Sequence, residues 1–145
     1  MNFFEALHSS SSGLSAQRVR MNLISSNLAN THTTKTAEGG PYMKKMAVFA
    51  TKPAEDNFQD IMNAKISARP SEVSVADIIN DQRKPILKYD PLHPDADNRG
   101  FVAMPNINVM EEMVDMLSAS RSYEANITAI STSKNMVQKA LEIGR

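Results

Sequence analysis

The sequence predicts a mainly α-helical chain whose N- and C-terminal helices form a coiled-coil-like pair, with a small β-rich or irregular insert between them. Three observations carry that reading. Apolar residues recur in steps of four and three at both ends, polar and turn-forming residues interrupt the pattern between them, and short alternating runs in the middle have the period of strands. The expected organisation is an N-terminal helix and Thr-rich loop over 1–36, an insert over 37–107 and a C-terminal helix over 108–145, the first and last forming an axial core.

The first helix is expected over residues 3 to 29. Phe3, Leu7, Ser10, Leu14, Gln17, Met21, Ile24 and Leu28 follow the four-three spacing, and the row Leu7, Leu14, Met21, Leu28 is unbroken. Its intrinsic propensity is poor, because the serines Ser9 to Ser12 precede Gly13 and a mid-helix glycine costs about 1 kcal/mol relative to alanine. Such a segment becomes fully helical only against a partner, which is the terminal helix of the same chain, of a neighbouring chain, or both. In dilute solution the free chain is therefore expected to have largely disordered ends.

The helix is expected to stop near Asn30, where a polar, threonine-rich run leads to the turn residues Gly39-Gly40-Pro41. Residues 42 to 51 alternate as a strand, with Met46 and Val48 on one face and Ala47 and Phe49 on the other. Val73, Val75 and then Ile86 to Tyr89 suggest two or three further short strands. Residues 52 to 72 fit either a short amphipathic helical turn through Phe58, Ile61, Met62 and Lys65 or a loop. Pro91, Pro94 and Pro105 describe a stiff, extended connector to the last helix.

The C-terminal helix carries the strongest pattern. Val109, Met113, Met116, Ser120, Tyr123, Ile127, Ile130, Lys134, Val137 and Leu141 run in unbroken four-three steps. Asn108 and Glu111 read as a capping box, Gly144 as a C-cap, and the run from Val109 to Ile143 would be about 50 Å long. The flanks are small or uncharged, as at Leu117, Ala119, Asn126 and Ser133, with Glu112 and Glu124 the charged exceptions. Packing against several neighbours and packing in a monomeric bundle both suit such flanks.

Composition excludes several function classes. Sixteen basic and sixteen acidic residues balance to zero, so nothing attracts nucleic acid or an anionic membrane surface. Cysteine is absent, which removes disulfides and thiolate metal sites. The N-terminus lacks a basic region followed by an apolar core, and no stretch approaches 18 apolar residues, so neither Sec export nor membrane insertion is expected. A cytoplasmic location or a specialised export route without a cleaved signal fits that trace.

No chemistry is expected either. His8, His32 and His93 are not at metal-ligand spacing, and there is no phosphate-binding glycine loop, nucleophile elbow or His-Glu-x-x-His run. Asp95, Asp97 and Gly100 echo the start of an EF-hand loop, but Arg99 occupies a ligand position and Asn106 stands where a bidentate glutamate is required. The sequence offers no catalytic residue, cofactor site or metal site.

Short motifs then fall into a recognisable order. Ser25-Ser26-Asn27-Leu28-Ala29-Asn30 with Thr33 is followed by Pro41-Tyr42, by Tyr89-Asp90-Pro91 with His93 to Asp97, by Gly100-Phe101-Val102, by Met104 to Val109, and by Met113-Val114 with Ser118 to Asn126 after it. This set resembles the rod and hook proteins of the bacterial flagellum, in particular those of the proximal rod, over residues 14 to 50 and 85 to 145. Phe101 stands where the family usually has Tyr, and the Thr-rich loop replaces its commoner Pro-Gly-Tyr continuation, so the loop's conformation does not carry over.

The resemblance implies a structural part. Members leave the cell interior through the flagellar type III export apparatus without signal cleavage and assemble helically into the periplasm-crossing rod that transmits torque to the hook. Implied partners are other copies of the chain, the neighbouring rod proteins FlgB, FlgF, FlgG and FliE, and the export apparatus. The implied assembly interface is Leu7, Leu14, Met21, Ile24 and Leu28 with Met113, Met116, Tyr123, Ile127, Ile130, Val137 and Leu141, and the family motif is Ser26, Asn27, Leu28, Ala29, Asn30 and Thr33. Asn27 and Asn30 are expected to satisfy backbone groups where the helix ends, and Arg121 and Glu124 either pair between subunits or form a solvated face. A cytosolic coiled-coil adaptor or chaperone, and a small calcium-responsive module, are the alternatives from other classes.

Overall fold

The structure, a computed structural model, describes residues 3–52 and 72–144. In chain order the elements are α1 (Phe3–Ala29), β1 (Lys45–Lys52), β2 (Glu72–Asn80), β3 (Ile86–Tyr89), β4 (Phe101–Met104) and α2 (Val109–Ile143). The segment read as either a helical turn or a loop lies almost wholly outside the described residues. No described helix is long and apolar enough to cross a membrane.

The two helices pack antiparallel. Going back along α1, Asn27 meets Glu112, Met21 meets the Ser120 hydroxyl at 3.7 Å, and Gly13 meets Asn126, so partners advance along α2 as they recede along α1. Gly13 now has a reason: a Cβ there would lie 3.2 Å from the Asn126 amide nitrogen, so the residue that weakens the helix lets its partner approach. The serines beside it are small enough for the same purpose on another side, where Ser12 Oγ accepts the Val73 N–H at 3.2 Å.

That bond belongs to the second layer. β1 and β2 form an antiparallel hairpin from Lys45↔Asn80 to Lys52↔Glu72, with a register shift between Val48 and Phe49. The hairpin lies along α1, tied at one end by the Lys45 backbone on Asn27 and at the other by Ser12 and the 2.8 Å pair of His8 with Glu72. With α2 and the hairpin both packed on it, α1 leaves one narrow exposed stripe, from His8 through Ser15 and Asn22 to Ala29. The strands expected around Val48, Val75 and Ile86 to Tyr89 are thus β1, β2 and β3.

The expected extended connector is corrected: Phe101–Met104 within it form a strand, and the residues before them are turns. β4 pairs antiparallel with β3, from Ile86↔Met104 to Tyr89↔Phe101. Gly100 makes the reversal possible, at φ +81, and a Cβ there would sit 3.0 Å from the Tyr89 ring. Asp97 fixes the turn by accepting the Arg99 and Phe101 N–H groups, at 2.8 and 3.0 Å. Pro91 and Pro94 lie in this loop and Pro105 follows the strand, positions where a missing N–H costs no ladder bond.

The ends of α2 match the expected caps in part. Asn108 Oδ1 accepts the Met110 N–H at 3.1 Å, but Glu111 meets the Asn108 side-chain amide, at 3.2 Å, rather than its backbone. Gly144 donates to the Ala140 carbonyl with an ordinary negative φ. Among the described residues the buried apolar set is small: Ala16, Ile24, Val102, Ile107 and Ala119.

Candidate assembly interface and the junction that positions it

At the end of α1 the family-like motif forms a polar junction. Asn27 is buried and uses its whole amide. Nδ2 donates to the Lys45 carbonyl and to Glu112 Oε2, both at 3.0 Å, while Oδ1 accepts the Lys45 N–H at 2.9 Å and the Tyr42 hydroxyl at 3.0 Å. One side chain therefore joins α1, the loop after it, β1 and α2, with none of its hydrogen-bonding capacity left over. Asn27 is expected to satisfy backbone groups where the helix ends; those it meets are the N–H and C=O of Lys45 in β1, because it points into the layer between the helices and the hairpin.

Asn30 does hold the helix end. Its Nδ2 donates to the Ser26 carbonyl at 2.9 Å and its Oδ1 accepts the Thr33 hydroxyl at 3.1 Å, while Thr31 Oγ1 returns to the Leu28 carbonyl at 2.8 Å. Ser26 Oγ lies 3.3 Å from the Tyr42 hydroxyl, and the Tyr42 N–H bonds the Thr33 carbonyl. The motif is thus a knot that turns the chain out of α1 and hands it to β1.

Glu112 completes the knot and was missed as a functional position. It is buried in the first turn of α2, with Oε2 on Asn27 and Oε1 2.5 Å from Lys44 Nζ. Read as a flank charge, it gave no signal, although Glu112, Met116, Ala119 and Tyr123 are themselves spaced four, three, four. A buried pair of this kind costs desolvation and is best regarded as fixing register between elements rather than as a source of stability. Toward the middle of α1, Arg20 pairs with Asp115 at 3.3 Å beside a cavity of about 330 Å³ whose lining includes Leu23, Ile24, Met46, Ala47 and Phe49.

The same shift in register runs the length of α2. Glu112 and Asn126 meet α1 directly and Ala119 is fully buried, with Met116, Tyr123, Ile130 and Val137 half-buried on the same side. On α1, Leu7, Leu14, Met21 and Leu28 are half-buried and Ile24 is buried. Met113, Ile127 and Leu141, placed by the sequence pattern in the seam with them, are exposed in the single chain. Arg121 and Glu124 are exposed too, with no ion pair between them among the described residues. The helix carries more apolar surface than its own partner covers.

A helical hairpin with a polar knot at one end, a small buried core and an uncovered apolar row defines a class of protein: a structural subunit built to pack against others. Comparison with known proteins agrees. Residues 7–34 match the family model for flagella basal body rod proteins, and residues 98–143 match the model for the C-terminal region of the flagellar basal body rod FlgEFG proteins. The chain is 43% identical to the flagellar basal-body rod protein FlgC of Borreliella burgdorferi, over 99% of this chain and 98% of that one. It is also 43% identical to FlgC of Bacillus subtilis over all of both chains, and 41% identical to FlgC of Escherichia coli O157:H7 over 92% of each. The chain belongs to the FlgC family of flagellar basal-body rod proteins. It is a structural rod protein of the flagellar basal body, not an enzyme.

Proposed function

We propose that the chain is a proximal-rod subunit that leaves the cytoplasm through the flagellar type III export apparatus without signal cleavage and polymerises helically into the shaft that crosses the periplasm and transmits torque. The observation that carries the assembly reading is the apolar row of α2 left exposed by its own partner, at Met113, Ile127 and Leu141. Long helices set side by side resist twisting, and non-closing contacts between subunits generate a helix rather than a closed ring.

Within this reading, residues 1–36 and 108–145 form the axial core and 37–107 the insert. Leu7, Leu14, Met21, Ile24 and Leu28 of α1 hold α2 in place through Met116, Tyr123, Ile130 and Val137, while Met113, Ile127 and Leu141 meet neighbours. Those neighbours are further copies of the chain and the rod proteins FlgB, FlgF, FlgG and FliE.

Ile127→Asp tests the proposal. Because the side chain is exposed in the single chain, the substitution leaves the helix pair intact and buries a charge only when a neighbour packs over it. The expected result is a chain that is exported but absent from purified basal bodies, in cells that do not swim. Full motility with normal incorporation would show that this row is not an interface.

A further inference from the structure

We propose that the outer edge of β1 accepts an extended, largely uncharged segment of a different protein of the basal body, which lies in the cavity between β1 and α2 and pairs with the backbone of Ala47 and Phe49. The inference rests on the rod reading above and adds to it a backbone-paired contact with a partner of another sequence.

Hydrogen bonds at the two ends of the hairpin fix which way the backbone of β1 points. Asn27 takes both the N–H and the C=O of Lys45, at 2.9 and 3.0 Å, and the Val73 N–H, opposite Thr51, goes to Ser12 Oγ rather than back to β1. Lys45 and Thr51 are therefore positions whose backbone groups point away from β2, and alternation along the strand gives Ala47 and Phe49 the same direction. The register shift leaves this undisturbed, because the extra residue, Ala76, is in β2.

The Asn27 amide stands where the peptide group of a neighbouring strand would stand, with one donor and one acceptor facing Lys45. It fills the first rung of a third strand that α1 does not continue. Among the described residues no hydrogen bond reaches the outward groups of Ala47 and Phe49. These two open rungs, about 7 Å apart, border the cavity of about 330 Å³, which has Leu23 and Ile24 of α1 and Glu112 and Asp115 of α2 among its other walls. An unpaired edge beside a partly apolar cavity is the arrangement that strand addition uses, with main-chain bonds supplying affinity and alternate side chains entering the space beside them.

Charge and composition choose the occupant. Arg20 with Asp115 and Lys44 with Glu112 are already paired, which leaves Lys45 as the one charged lining residue without an ion pair among the described residues. The cavity therefore offers backbone bonds and apolar surface rather than a strong field, and suits a segment with no run of charge. A second copy of this chain has no free strand of that kind among the described residues. Its longest uncharged extended stretches, 46–51, 73–76 and 101–108, are already engaged: the first two pair with each other, and in the third Phe101 is bonded through both backbone groups while Val102, Pro105 and Ile107 are buried. With α2 on the far side, the gap takes one strand and not a hairpin.

The test places a photo-crosslinking benzophenone amino acid at position 49 in the full chain, irradiates intact hook–basal bodies and maps the adducts by mass spectrometry. The expected product joins this chain to a different polypeptide of the particle, at a stretch free of Lys, Arg, Asp and Glu. Alongside it, Ala47→Pro removes one outward N–H without touching the bonds to β2, whereas Ala47→Ser keeps it. Ala47→Pro should lower both incorporation and the position-49 adduct at least tenfold, and Ala47→Ser should leave both unchanged. No adduct, adducts confined to a second copy of this chain, or full incorporation of Ala47→Pro with the adduct retained would overturn the contact. Failure of the unsubstituted chain to appear in the particles would instead overturn the rod reading.

Discussion

Asn27→Asp isolates the polar junction, because it keeps the side chain's shape and changes only its chemistry. The acceptor roles toward the Lys45 N–H and Tyr42 hydroxyl survive, but the donor to the Lys45 carbonyl is lost, and a carboxylate takes the place of an amide nitrogen 3.0 Å from Glu112 Oε2. Two charges about 3 Å apart repel by about 5 kcal/mol at an effective dielectric constant of about 20. The pair escapes by holding a proton, and keeping an ordinary aspartic acid protonated at pH 7 costs about 4 kcal/mol, which sets the ceiling. A loss of about 4 kcal/mol is close to a thousandfold in the population of the closed junction. The assay is the ratio of variant to co-expressed wild-type chain in purified hook–basal bodies, read by mass spectrometry. Asn27→Asp should fall below about one part in a hundred, allowing for assembly away from equilibrium. Adding Glu112→Gln, which restores a donor between the two side chains and returns the junction to a single negative charge, now on residue 27, should recover at least tenfold. Incorporation of Asn27→Asp at the wild-type level would refute the view that this junction sets the positions of α1, β1 and α2.

Three further outcomes are expected. Gly13→Val should abolish incorporation by pushing α2 away at Asn126, whereas Gly13→Ala, whose Cβ needs only a few tenths of an ångström there, should swim nearly normally because the gain of up to about 1 kcal/mol in helix propensity offsets the crowding. Gly100→Ala should cost about 1–2 kcal/mol from its left-handed backbone, with added crowding against Tyr89, and should reduce incorporation without blocking export. In dilute solution the amides of residues 3 to 29 should exchange with little protection, since the helix is rich in serine and its buried apolar partners are few; strong protection in the free chain would contradict this.

The helices were legible because period and caps agree: Asn108 and the apolar repeat both mark the start of α2. The seam's register was harder to read. Two four-three rows overlap on α2, sharing Met116, Tyr123, Ile130 and Val137, and hydrophobicity favours the row containing Met113 and Ile127. In the chain, Glu112, Ala119 and Asn126 face α1 instead, because close approach at Gly13 and the bond to Asn27 require small or polar partners. Hydrophobic periodicity records all the apolar surface of a helix, whether or not the chain's own partner covers it, so it overstates the intramolecular seam. β4 escaped notice because the prolines around it suppress the strand signal, while the decisive residues, Gly100 and Asp97, act through turn geometry. The motif was visible as a string, but Asn27's partners at Tyr42, Lys45 and Glu112 are distant in sequence and emerge only from the fold.

The most direct measurement of the central claim is mass spectrometry of hook–basal bodies purified from the source cells, together with swimming after deletion of the gene. The account predicts peptides of this chain in the particles and a non-motile deletion strain restored by the wild-type gene. Particles free of the chain, from cells that still swim without it, would contradict the account.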